Sequence, residues 1–183
     1  HENYINALID EINGYDTGQL EGYGLRSVFI GGGTPSAVKA EYISRIMTAV
    51  KEHFADICGH LTEITIECNP GTVTAENLRI YRDAGINRLS FGLQSAIDSE
   101  LKCIGRIHTW DDFKNSYRLA HEAGFENVNV DLMFDLPDQT MDTWKRTLAD
   151  VCALEPKPSH ISAYSLILEE GLSLIHISEP TRL

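Results

Sequence analysis

Five short apolar runs alternate along this chain with amphipathic stretches of helical period, and that alternation constrains the fold more than any other feature. Residues 25–30, 64–67, 88–92, 128–134 and 160–164 read as strands. Residues 39–54 read as a helix, because Ile43, Ile46, Met47, Val50 and Phe54 recur at helical spacing. A second helix starts after Thr74 and closes at Gly85. A third follows Thr109 and Asp112, which stand at capping-box spacing, and closes at Gly124. A fourth follows Thr140, sets Trp144, Leu148, Val151 and Leu154 on one face, and stops before Pro156. Residues 2–12 read as a helix ahead of the first strand. Ala84-Gly85-Ile86 and Ala123-Gly124-Phe125 echo one another, each ending a helix just before a strand. Strands joined through helices need crossover connections and so pair in parallel. The fold class is therefore α/β, as an open doubly wound sheet or as part of a β/α barrel. Both place a ligand at the carboxyl ends of the strands.

Bulk properties exclude several function classes. The net charge of −12 argues against a nucleic-acid partner, which calls for a basic face. No apolar run approaches the roughly 20 residues that a spanning helix needs, and no basic and apolar leader opens the chain. Neither stable membrane insertion nor secretion is expected. Cys58, Cys68, Cys103 and Cys152 are widely spaced, which fits reduced thiols in a cytoplasmic protein. His53, Cys58 and His60 have loosely metal-like spacing but fall at a helix end and in a loop, where a solvated surface is the simpler reading.

The strand-end rule turns scattered residues into a candidate site. The first strand ends in Gly31-Gly32-Gly33-Thr34, the second in Glu67-Cys68-Asn69-Pro70-Gly71, and the third runs through Ser90-Phe91-Gly92 to Gln94-Ser95. The fourth ends through Asp131-Leu132-Met133 and the fifth through Ser162-Ala163-Tyr164. Taken singly, Glu67 could cap a helix, Gln94 could satisfy loop backbone, and Asp131 could pair with Arg88 or Arg106. Taken together they offer bare backbone donors beside carboxylates, a set suited to a ligand with an amino or carboxylate group and a ribose. No serine elbow, His-Asp pair or metal-spaced histidine cluster points to hydrolysis. A phosphate-binding loop is disfavoured, since G-K-[ST] is absent and Lys39 lies too far along.

GGGTPS, ECNPG, RLSFGLQS, LKCIGRIH, NVNVDLMFDLPDQT and HISAYSLILEEG occur in an order that resembles the radical SAM family of oxygen-independent coproporphyrinogen III oxidases. The likeness is nearest to their HemW-type heme chaperone branch. It implies a partial (β/α)₆ barrel holding S-adenosylmethionine and a [4Fe–4S] cluster. Gly32, Gly33 and Thr34 would contact the methionine moiety, and Glu67 the ribose hydroxyls. Gln94, Arg106 and Asp131 match further cofactor contacts, Ile167 matches the adenine pocket, and Arg106 suits the methionine carboxylate. Heme or a porphyrin and a heme-acceptor protein are the implied partners. An authentic oxidase, decarboxylating propionates in porphyrin biosynthesis, is the alternative.

Two departures stand out. Asp135 occupies a position where the family carries glycine, which predicts local strain. The C-x-x-x-C-x-x-C motif that holds the cluster is absent from these residues. In the family it follows a first strand upstream of the segment beginning near Glu2. The expectation is a partial core over residues 1–171 that lacks that strand and the C-terminal domain, and is inactive as it stands. Residues 172–183 break the pattern, and LSLIHISEPTR matches the conceptual translation of a sequencing adapter, which predicts a tail that does not pack.

Overall fold

The computed structural model describes residues 1–167. It contains α1 (Glu2–Gly14), β1 (Ser27–Ile30), α2 (Ala40–His53), β2 (Glu63–Cys68), α3 (Ala75–Asp83) and β3 (Arg88–Gln94). There follow α4 (Asp98–Cys103), α5 (Trp110–Glu122), β4 (Asn127–Phe134), α6 (Met141–Cys152) and β5 (His160–Ser165). The expected tail and the family's glutamate pair lie outside the described residues.

Strand order settles the choice that periodicity left open. The five strands lie in sequence order, β1-β2-β3-β4-β5, and every pair is parallel. A doubly wound sheet would reverse direction at a switch point, whereas this one never does. It is an arc of a singly wound β/α barrel. Side chains alternate between its faces. Ile64, Ile66, Leu89, Phe91, Val128 and Val130 turn to one face and form the main core with Met47, Leu78, Phe113 and Val151 from the helices. The opposite face carries Thr65, Glu67, Ser90, Asn129 and Asp131, and its upper end holds the candidate site. Helix α1 packs on α2 through a smaller cluster around Ile5, Ile46 and Val50.

Local signals explain where the elements begin and end. Thr74 Oγ accepts the N–H of Asn77 at the start of α3. Thr109 and Asp112 form the expected reciprocal box at α5, with Asp112 Oδ2 accepting the Thr109 N–H at 2.8 Å. At the other ends, Gly85 and Gly124 adopt φ of 92° and 85°. The N–H groups of Ile86 and Phe125 reach back to Tyr81 and Ala120, the double bond pattern of a Schellman cap. A third copy escapes the sequence echo: Gly105 takes φ 73°, and the Arg106 N–H bonds the carbonyl of Leu101. The short α4 is thus closed by the same device, which delivers Arg106 to the site.

Candidate functional site

Gly33, Thr34, Glu67, Gln94, Arg106 and Asp131 converge on one cavity of about 190 Å³ at the carboxyl ends of the strands. Gly32 lies beside it and donates its N–H to Glu67 Oε2 at 3.1 Å. Ile167 follows β5, is 73% exposed and is not among the cavity's lining residues. Asn69, Ser90, Gly92 and Tyr164 also line the cavity. The strand-end rule gathers all four into the candidate site, and their three-dimensional neighbours show what each one contacts.

The glycine run has two separate causes. Gly32 and Gly33 adopt left-handed φ of 84° and 60°, yet a Cβ on either would meet open space. They are needed for conformation. Gly31 is needed for room, since a Cβ there would come within 3.0 Å of the Glu67 carboxylate and 2.8 Å of Phe29. The loop therefore brings the Gly32 N–H against the Glu67 carboxylate at the end of β2.

Each polar group is held by others. Asp131 Oδ2 accepts from Ser90 Oγ at 2.9 Å and Oδ1 from Asn129 Nδ2 at 2.8 Å. Neither Arg88 nor Arg106 pairs with it among the described residues: Arg88 lies 4.0 Å from Glu63 instead. Arg106 donates to Asn69 Oδ1 at 3.2 Å, and Asn69 Nδ2 donates to Thr34 Oγ1 at 3.1 Å. Gln94 is buried with φ 73°, at a break in register between β3 and β4. A buried non-glycine residue held in that conformation costs of order 1–3 kcal/mol and persists where surroundings enforce it, often at functional sites. Its Oε1 accepts from the Tyr164 hydroxyl at 3.2 Å. Burial, and next the Asp131 charge, push the Tyr164 hydroxyl above its ordinary pKa, so it remains a donor.

These residues fit S-adenosylmethionine and do not fit an iron–sulfur cluster. Backbone donors, two carboxylates and one guanidinium match an amino group, ribose hydroxyls and a carboxylate. The cluster requires three converging thiolates. Cys58, Cys68, Cys103 and Cys152 are free and sit on four separate elements, and no three metal-binding side chains gather among the described residues. Cys68 is buried, and desolvation with the neighbouring Glu67 charge pushes its thiol up to about 12. No step through a cluster is assigned to these residues.

A parallel β/α arc with a polar cavity at its strand ends defines the class of domain. The chain belongs to the radical SAM superfamily, whose sequence profile matches residues 15–151. It is 38% identical to the heme chaperone HemW of Bacillus subtilis, over all of this chain and 47% of that protein. The heme chaperone HemW of Escherichia coli is 36% identical over 92% of this chain and 43% of its own length. The chain thus spans about half the length of the curated relatives it matches. Among solved structures, coproporphyrinogen III oxidase (HemN) from Escherichia coli, a radical SAM enzyme, superposes with a TM-score of 0.79. That match has 27% identity and covers 97% of this chain and 39% of the oxidase. The archaeal Elp3 of Methanocaldococcus infernus shares the fold, with a TM-score of 0.75 at 21% identity.

Proposed function

We propose that this chain supplies the S-adenosylmethionine site of a HemW-like heme chaperone. The observation that carries the proposal is the convergence of Gly33, Thr34, Glu67, Gln94, Arg106 and Asp131 on one cavity. Backbone groups of Gly32, Gly33 and Thr34 receive the methionine end. Glu67 engages the ribose hydroxyls through Oε1, which makes no hydrogen bond among the described residues, while Gly32 holds Oε2. Arg106 takes the carboxylate, and Gln94 and Asp131 complete the polar wall. In the whole protein the cofactor would work beside a [4Fe–4S] cluster, which supplies the electron for reductive cleavage when bound. Heme is the proposed cargo, a heme-acceptor protein its recipient, and the cytoplasm the proposed location. No described helix is long and apolar enough to cross a membrane.

Identities of 36–43% to heme chaperones from four bacteria, against 27% to the oxidase, favour transfer of heme over decarboxylation. Titration with S-adenosylmethionine by calorimetry tests the site. Glu67→Ala should weaken binding by about 1–3 kcal/mol, the usual cost of losing hydrogen bonds to a charged group. Unchanged affinity would remove Glu67 from the ribose.

A further inference from the structure

Asn69 joins two walls of the cavity, and the chemistry of its partners fixes its orientation. Arg106 can only donate, so the amide oxygen must face it, as it does at 3.2 Å. The amide nitrogen is then left to donate to Thr34 Oγ1 at 3.1 Å. Having accepted that bond, Thr34 keeps its own O–H free as a donor. The strut is itself fixed. Ser36 Oγ accepts the Asn69 N–H at 3.0 Å, and the Asn69 carbonyl accepts both the N–H and the hydroxyl of Thr72. A neutral amide positions the guanidinium without cancelling its charge. Among the described residues Arg106 has no ion-pair partner, although Glu67 and Asp131 line the same cavity.

We propose that Asn69 is the residue that makes this site select a ligand carboxylate, by holding Arg106 and the Thr34 hydroxyl as uncompensated donors on one side of the cavity. The inference rests on the reading that S-adenosylmethionine occupies the cavity. Replacing the amide by a carboxylate of the same shape keeps the Arg106 contact but neutralises the guanidinium and repels an anionic ligand group.

The test compares S-adenosylmethionine with its decarboxylated form, which keeps the nucleoside, sulfonium and amine, by calorimetry on the 183-residue chain. Their affinity ratio is insensitive to the fraction of chain that is folded. Wild type should prefer the carboxylated ligand by roughly tenfold or more, the scale of one hydrogen-bonded charge contact. Asn69→Asp should abolish or reverse that preference. Asn69→Ala, which frees Arg106 without neutralising it, should weaken S-adenosylmethionine several-fold and keep part of the preference. A wild-type preference retained in Asn69→Asp, or wild-type affinity in Asn69→Ala, overturns the role of Asn69. Arg106→Gln separates the two levels. If it binds both ligands as wild type does, Arg106 does not hold the carboxylate and the inference fails while the cofactor reading stands. If wild type binds neither ligand, the cofactor reading fails and the inference falls with it.

Discussion

Asp135 is held at φ 59° in the turn that follows β4, a left-handed conformation that costs an L-residue roughly 1–2 kcal/mol. Aspartate falls at the lower end of that range, because its short polar side chain tolerates the region. The side chain is exposed and makes no hydrogen bond among the described residues, so its removal forfeits almost nothing. Glycine would relieve the strain at an entropic cost of about 0.5–1 kcal/mol. Asp135→Gly should therefore stabilise the fold by up to about 0.5 kcal/mol, while Asp135→Ala keeps the full penalty and loses up to about 1 kcal/mol. For a chain of this size a difference of about 1 kcal/mol is roughly 2–4 °C in Tm. Thermal melts followed by circular dichroism should rank the chains Gly above Asp above Ala. Asp138, at φ 60°, is an internal control: it stands third in the turn closed by the Gln139 N–H on the Leu136 carbonyl, with Pro137 second. Left-handed φ is required at that position, so Asp138→Gly should stabilise the fold in the same way. An alanine variant as stable as the glycine one would refute the strain argument.

Three further outcomes follow from the site and the core. Gly31→Ala should drive a methyl group against Glu67 and Phe29, displace the carboxylate from the Gly32 N–H and lower S-adenosylmethionine affinity about tenfold; full affinity by calorimetry would mean that Glu67 is not needed where it stands. Phe91 is fully buried and meets Phe113 edge-on with centroids 6.0 Å apart, so Phe91→Ala should cost about 3–5 kcal/mol in urea unfolding, and a loss under about 1 kcal/mol would contradict the core. Cys68 keeps its proton in the folded chain up to about pH 12, whereas the unfolded thiol loses it near 9.0. The folded state then binds more protons, so stability falls as pH rises through that window, and Cys68→Ala should flatten the decline in urea midpoint; an identical slope would deny the burial.

Much of the architecture was legible because it is written in neighbouring residues. Strand ends shift by a residue or two: β1 begins at Ser27 rather than residue 25, because Leu25 turns to the cluster under α1 and its N–H bonds the Ile57 carbonyl. Helix α4 was not legible as an element, since six residues are too few to show a period. Its Schellman glycine looked unlike the other two for the same reason.

Periodicity of 2 and 3.6, the threonine caps and the glycine stops are local properties, fixed by backbone sterics and by which face of each segment is apolar. They determined the five strands, their parallel pairing and the strand ends as the place for chemistry. The tertiary structure alone decided that the strands run in one sweep, that Asp131 is held by Ser90 and Asn129 rather than by an arginine, and that Asn69 spans from Thr34 to Arg106. These contacts join residues 35 to 41 positions apart, apart from the Asn129–Asp131 bond, and Tyr164 reaches Gln94 across 70. A hydrogen bond over such a separation depends on strand register and side-chain rotamer together. No local pattern encodes either one, because both are set only when the strands pair and the helices pack against the sheet.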